Sequence, residues 1–116
     1  MKNLKEFKEL IIRYETTTLE EIREKWGEGG MFRAEAITGF GHSETCTLCQ
    51  AVFADGCISC SLCVWTEGGD LQCNWGENAP TYLMVAYAVS PEDLITAFRA
   101  RAAHMREHLK SIGVDF

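Results

Sequence analysis

Apolar positions recur at helical spacing near the start of the chain. Asn3 is placed to cap a first helix, and the threonine run at 16–18 is expected to end it. Thr18 and Glu21 then match a capping box ahead of a short second helix, with Gly27 placed to end that helix. The predicted inner faces are Leu4, Phe7, Leu10, Ile11 and Tyr14 in the first helix, and Leu19, Ile22 and Trp26 in the second.

Two further helices are predicted towards the other end of the sequence. Pro80 suits the first turn of a helix, and residues 81–89 are apolar nearly all round, which predicts a buried helix. Ser90 and Pro91, followed by two acidic residues, mark the start of the last helix, which should run to about Ser111. Gly113 is its predicted stop, and its predicted inner face is Leu94, Ile95, Phe98, Ala102, Met105, Leu109 and Ile112.

The middle of the chain lacks this periodicity. Glycines punctuate residues 27–45, and residues 31–37 favour a strand or extended chain. The predicted fold is therefore α+β and mainly helical, in a single small domain spanning residues 1–116. N-terminal helices occupy 1–27 and C-terminal helices 80–113, with a zinc-knuckle-like cysteine loop region at 42–79 between them.

Composition and charge narrow the class of protein. An apolar content of 47% with 24% charged residues is typical of a globular chain. The sequence has neither a signal-peptide pattern nor an apolar run long enough to span a membrane, so we expect a cytoplasmic protein of a bacterium or an infected host cell. The net charge is −6, and residues 31–79 carry only Arg33 against six acidic residues. Phosphate binding depends on Lys and Arg, so this acidic segment is a poor candidate for binding nucleic acid.

Six cysteines, all between positions 46 and 73, carry the clearest chemistry. Two thiols separated by two residues can supply half of a tetrahedral metal site. In a reducing compartment such clusters are more often metal ligands than disulfides, which favours structural zinc. The candidate ligands are Cys46, Cys49, Cys60, Cys63 and Cys73, and Cys57 is the candidate spare thiol.

The ligand set and the metal stay open at this point. Cys46, Cys49, Cys60 and Cys63 form the simplest tetrad, while Cys73 can replace any of them and His42 is a weaker nitrogen candidate. Cys57, Cys60 and Cys63, evenly spaced, together with a distant fourth Cys also offer a workable ligand set for an iron–sulfur cluster. Disulfides and ordinary buried thiols are the less favoured alternatives. A closed four-ligand zinc site has no open position for substrate, so this reading predicts no enzyme.

The polar residues of the last helix give weaker indications of function than the cysteines do. His104 and His108 lie one turn apart but lack the glutamate of a metalloprotease helix, so a solvated edge beside Arg101 is expected. A basic stripe is expected on the opposite flank, either solvated or able to dock an acidic partner; it consists of Arg99, Arg106 and Lys110. Trp65 and Trp75 are expected to cover the metal site or to serve as exposed interface anchors.

Short motifs give the chain a resemblance. They are Cys46-Thr47-Leu48-Cys49, Cys60-Ser61-Leu62-Cys63-Val64, Cys73 and Pro80-Thr81-Tyr82. In this order they resemble small uncharacterised cysteine-rich proteins of bacteriophages and prophages, over about residues 46–110. The resemblance implies a metal-tied fold and no established activity.

These observations favour a zinc-stabilised, non-catalytic protein-interaction module, of the kind a phage uses as an adaptor or inhibitor of a macromolecular partner. Its expected binding surface is either the acidic, aromatic-bearing cysteine loops or the basic flank of the last helix. The alternatives are an iron–sulfur redox or sensor protein and a zinc protein that binds nucleic acid through its terminal helices. The oligomeric state and the identity of the partner do not follow from the sequence.

Overall fold

A computed structural model describes residues 4–26 and 79–116, which form four helices. In chain order these are α1 (Leu4–Thr16), α2 (Leu19–Glu24), α3 (Ala79–Ala86) and α4 (Pro91–Ser111). No residue of these two segments lies in a strand, so the described part of the chain is helical. Asn3, the strand predicted at 31–37 and the cysteine loops up to residue 78 lie outside the described residues.

The long helix α4 is the element against which α1, α2 and α3 all pack. Its predicted inner face is confirmed: five of the named residues are buried, while Ile95 and Ile112 are partly buried against the core. The predicted face of α1 is confirmed in the same way, with Leu4 packed at the edge of the core. That of α2 is confirmed for Ile22 and Trp26, whereas Leu19 is only partly buried and is not part of the core. The buried apolar residues are Phe7, Leu10, Ile11, Tyr14, Ile22, Val85, Ala88, Leu94, Ala97, Phe98, Ala102, Met105 and Leu109.

The helix caps predicted at Thr18 and Ser90 are present. The Thr18 hydroxyl accepts a hydrogen bond from the backbone N–H of Glu21 at 3.1 Å, and Ser90 accepts one from the N–H of Asp93 at 3.1 Å. Each side chain thereby satisfies one of the N–H groups that a helix start leaves without an intrahelical partner. Gly113 follows α4 with a φ of 82°, a conformation that favours glycine over residues with a side chain.

Two details differ from the sequence-based expectation. Helix α2 ends at Glu24 with Lys25 as its cap, before Gly27 is reached. The interpretation of residues 81–89 as a buried helix is wrong, because only Val85 and Ala88 of that stretch are buried. A helix that is apolar nearly all round contains no signal for the side that will face the core, and within the described residues α3 packs against α4.

Candidate functional site

The predicted metal ligands cannot be placed in the helical body. Cys46, Cys49, Cys60, Cys63 and Cys73 lie outside the described residues, as do Cys57 and His42. Within residues 4–26 and 79–116, no group of three or more His, Cys, Asp or Glu side chains is arranged to hold a metal ion. The zinc site and its iron–sulfur alternative therefore stay predictions from the sequence.

The structure does show where the cysteine-containing part of the chain is attached. The last described residue before it, Trp26, packs against the core, and α3, which begins at Ala79, packs against α4. An ion pair of 2.7 Å between Arg23 and Glu92 also joins the end of α2 to the start of α4. Both ends of residues 27–78 are thus connected to one helical body.

The basic stripe predicted on α4 is largely used inside the molecule. The Arg99 guanidinium donates hydrogen bonds to the backbone carbonyls of Tyr14 and Thr17, the second at 2.7 Å. Carbonyl groups at the end of a helix lack intrahelical partners, and Arg99 supplies donors there from another helix. Arg106 is also engaged with α1, which leaves Lys110 as the stripe member without such a role. The predicted solvated face is confirmed for Arg99 and Lys110, which are exposed, while Arg106 is half-buried. The guanidinium groups of Arg99 and Arg106 nevertheless bind groups of the same chain, which argues against the partner-docking alternative.

Arg106 forms a two-pronged ion pair with Glu15 of α1. Its Nε and Nη2 atoms donate to the two carboxylate oxygens at 2.6 and 2.7 Å. The hydrogen bond from Arg106, reinforced by its charge and that of Arg99, holds the pKa of Glu15 below 4.5. The Phe116 ring lies 4.7 Å from the Arg106 guanidinium and 5.4 Å from Lys8 Nζ, both at cation–π range. These contacts tie the residues after α4 back onto α1 and α4.

A polar network lies between α3 and α4. Arg101, only 5% exposed, donates from Nη1 to the Thr81 hydroxyl at 2.9 Å, and that oxygen lies 2.7 Å from His104 Nδ1. A neutral imidazole with its proton on Nε2 satisfies this arrangement, since the threonine hydroxyl can then donate to Nδ1. The predicted solvated edge is wrong for this region: His104 and His108 are half-buried, and the His108 ring lies 6.2 Å from that of Phe7. Helices α1 and α3 cover flanks of α4 that its own periodicity does not mark as buried.

Helix α3 and the turn after it expose a row of large apolar side chains. The exposed fractions are 43% for Leu83, 42% for Met84, 76% for Tyr87 and 80% for Val89. We call these four residues the apolar row. Clustered exposure of this kind is a feature of interaction surfaces, whereas scattered single apolar residues are normal. A sequence signal does exist, because residues 78–91 form the longest stretch of the chain without a charged residue.

Part of the apolar row lines a groove of about 220 Å³ where α3 meets the first turns of α4. Met84, Tyr87 and Ala88 provide its apolar lining, and Asp93 and Thr96 lie on the α4 side. The Thr96 hydroxyl donates to the carbonyl of Glu92 at 3.0 Å, whereas the Asp93 carboxylate has no ion-pair or hydrogen-bond partner within the structure described. We call this feature the α3–α4 groove. It was not predicted, because two separate helices create it.

Comparison with protein-family models, with curated proteins and with solved structures found no match. Neither described segment contains a helix that is both long and apolar enough to cross a bilayer.

Proposed function

We propose that this chain is a small zinc-stabilised protein-interaction module without catalytic activity, acting as a phage-type adaptor or inhibitor of a macromolecular partner. The observation that carries the zinc site is the cysteine spacing, with two C-x2-C pairs and a further Cys73 within 28 residues. Cys46, Cys49, Cys60 and Cys63 are the first choice of ligands, with Cys73 as the substitute. The middle of the chain is then a zinc-knuckle-like loop region in a mainly helical α+β domain.

The way the chain is connected supports a stabilising role for the metal. Residues 27–78 connect Trp26 to α3, and both of these pack in the helical body, so the body fixes the two ends of this 52-residue segment. Closing a loop of that length costs chain entropy, and a metal bound by residues inside it divides it into shorter loops. Structural zinc sites contribute about 10–16 kcal/mol, comparable with the whole stability of a small domain.

The interaction role is supported by surface chemistry. Residues 31–79 carry an excess of five acidic residues and include Trp65 and Trp75, and tryptophan is enriched at interface hot spots. The helical body adds the apolar row on α3 and the turn after it. The basic flank of α4 no longer supports the proposal, because Arg99 and Arg106 bind groups of α1. Surfaces of these two kinds fit a protein partner better than a nucleic acid.

The experiment that tests the metal is elemental analysis with a visible spectrum, on protein purified anaerobically without a metal-binding tag. One equivalent of zinc and a colourless sample are expected. Iron with sulfide and visible absorption would replace this proposal with the iron–sulfur redox or sensor protein. A sample without any metal would contradict both, and would leave disulfides or buried thiols as the explanation of the cysteine cluster.

Single Cys→Ser substitutions assign the ligands. Cys46→Ser, Cys49→Ser, Cys60→Ser and Cys63→Ser should each lower the zinc content, whereas Cys57→Ser should leave it at one equivalent. Loss of zinc with Cys57→Ser but not with Cys46→Ser would contradict the proposed ligand set. Retention on DNA or RNA columns at low salt is the corresponding test of the nucleic-acid alternative, and none is expected.

A further inference from the structure

We propose that the α3–α4 groove and the adjoining apolar row bind a cationic, amphipathic segment of another protein. This inference rests on the proposed function as an interaction module, and it names the surface and the chemistry of the partner. It concerns the helical body alone, so it does not depend on which cysteines bind the metal.

The apolar half of the site favours an amphipathic ligand. Met84 lies near the end of α3 and Tyr87 three residues later, in the turn after it, and both line the groove. One ligand side chain can therefore contact both while its neighbours lie along Leu83 and Val89. Burying such side chains contributes roughly 25 cal/mol for each Å² of apolar surface removed from water. A groove of about 220 Å³ accommodates a single anchoring side chain rather than a whole small molecule.

The polar half of the site determines the charge of the ligand. The Asp93 carboxylate, exposed at the edge of the groove, has no partner in the described structure, whereas the neighbouring Glu92 pairs with Arg23. Helix α3 contributes no charge of either sign. The free charge beside the groove is therefore negative, and a Lys or Arg next to the apolar anchor complements it.

The same charges disfavour other occupants. A second copy would bring together two chains that each carry a net charge of −6, and it has no cationic segment to offer Asp93 at the groove. The acidic segment at 31–79 has only Arg33 to offer Asp93. A membrane surface rich in anionic lipid is repelled by the same excess of acidic residues. A cationic segment of a different protein is the occupant that matches both halves of the site.

The binding test uses the full 116-residue chain with its metal and a fluorescein-labelled 18-residue helical peptide. The peptide carries leucines along one helical face and lysines on the other, and binding is followed by fluorescence anisotropy. We expect saturable binding that weakens with salt, and amide chemical-shift changes concentrated on residues 83–96 of the ¹⁵N-labelled protein. The same peptide with glutamates in place of its lysines should not bind.

Matched variants separate this site from general attraction to an acidic protein. Met84→Gln combined with Tyr87→Ser should weaken binding about tenfold, and Asp93→Asn about threefold. Ile12→Gln removes an equally exposed apolar residue from α1, and Glu107→Gln removes an exposed carboxylate from the far part of α4; neither should change the affinity. All substituted side chains are at least partly exposed, and circular dichroism checks that each variant folds.

Three results would overturn the inference. One is equal peptide binding by the Met84→Gln/Tyr87→Ser variant and the parent chain, and another is equal binding of the lysine and glutamate peptides. The third is sedimentation of the free chain as a dimer that Tyr87→Ser dissociates, which would make a second copy the occupant. Metal content is measured on the same samples. A zinc-loaded protein that does not bind the peptide contradicts this inference and leaves the zinc proposal intact. A protein that is purified without metal and binds the peptide contradicts the zinc proposal and leaves this inference intact.

Discussion

Three arginines of α4 show how the same side chain takes different roles according to what faces it. Arg99 donates to carbonyl groups at the end of α1, Arg101 is buried against Thr81, and Arg106 pairs with Glu15. The planar guanidinium allows each of them to donate more than one hydrogen bond in a fixed geometry. The positive charges of this helix therefore join elements of the fold.

Replacement of Arg99 tests its role as a cap of α1. Arg99→Ala should lower the free energy of unfolding by about 1–2 kcal/mol, because the carbonyls of Tyr14 and Thr17 lose charged donors. Arg99→Lys should recover only part of this loss, since an ammonium group cannot reproduce the fork. Lys110→Ala is the control and should change stability by less than about 0.5 kcal/mol. Urea unfolding of the metal-loaded proteins measures the free energy of unfolding of all three variants. Equal free energies of unfolding for Arg99→Ala and Lys110→Ala would contradict the role of Arg99 as a cap of α1.

The ion pair of Glu15 and Arg106 gives a pH-dependent prediction. The pKa of Glu15 is held below 4.5 in the folded protein by its hydrogen bond to Arg106, so the unfolded chain takes up this proton first as the pH falls. The stabilisation is fully present above the unfolded pKa and is lost as the pH falls through the folded pKa. We expect about 0.2–1 kcal/mol of extra stability over Glu15→Gln at pH 7, disappearing below pH 4.5.

Urea unfolding of both proteins at a series of pH values measures this difference. Glu107→Gln, at an exposed position of α4, is the control, and its plot of unfolding free energy against pH should run parallel to that of the parent chain. Comparing two proteins at each pH cancels any loss of metal through protonation of cysteine ligands, because that loss affects both equally. A Glu15→Gln curve parallel to that of the parent chain across all pH values would contradict the assigned role.

At the scale of the elements, α3 differs from its neighbours in how it is held. Helices α1 and α4 bury continuous apolar stripes, whereas α3 buries Val85, and Ala88 just after it, and shares a polar contact with α4. That contact orients α3 because a buried guanidinium has strict requirements for acceptors. Helix α3, which carries Leu83 and Met84 of the apolar row, is thus positioned partly by Thr81 and Arg101.

Thr81→Val tests this contact with little change in side-chain shape. The substitution removes an acceptor for Arg101 and the oxygen beside His104, and should destabilise the protein by about 1–3 kcal/mol. Thr96→Val is the matched control, because its hydroxyl donates to a carbonyl of its own helix at an exposed position. Thermal unfolding ranks the two variants by unfolding temperature. The imidazole NMR signals of His104 should shift in the Thr81→Val protein and stay unchanged in the Thr96→Val protein. Equal unfolding temperatures for the two variants would show that Thr81 does not hold α3.

Local patterns predicted those elements whose apolar residues have a clear direction. The faces of α1 and α4 and the caps at Thr18 and Ser90 follow from short-range spacing, since helix periodicity and capping act within a few residues. The exposure of α3 and the burial of Arg101 do not, because both depend on how separate helices meet. The α3–α4 groove could not be predicted from the sequence for the same reason. The cysteine ligands are the opposite case: their spacing suggests a metal without any knowledge of the fold.

At the scale of the whole molecule, the chain has a shared helical body and a long connection that carries all the cysteines. The 61 described residues include helices from both sides of that connection, held together through α4. A body of this size is marginally stable by itself, burying roughly 60% of its unfolded surface. We therefore expect both the metal and the helical core to contribute to the stability of the chain. We also expect that the two contributions can be measured separately.

Removing the metal should affect the middle of the chain first. After treatment with a chelator, brief digestion with a broad-specificity protease should cut within residues 27–78 while α1 and α4 stay intact. Because α1 and α2 pack on α4, the two resulting fragments should elute together from a gel-filtration column under native conditions and separate in urea. Mass spectrometry of the fragments locates the cuts, and the metal-loaded chain should resist the same digestion.

Cysteine variants show whether this behaviour depends on the proposed zinc ligands. Cys46→Ser without a chelator should be cut like the metal-free protein, whereas Cys57→Ser should resist like the parent chain. First cuts within α4, or fragments that separate without denaturant, would show that the helical body depends entirely on the metal. A metal-free chain as resistant as the loaded one would show that zinc does not organise the cysteine segment. The expected pattern requires both a body assembled from the two ends of the chain and a metal that acts between them.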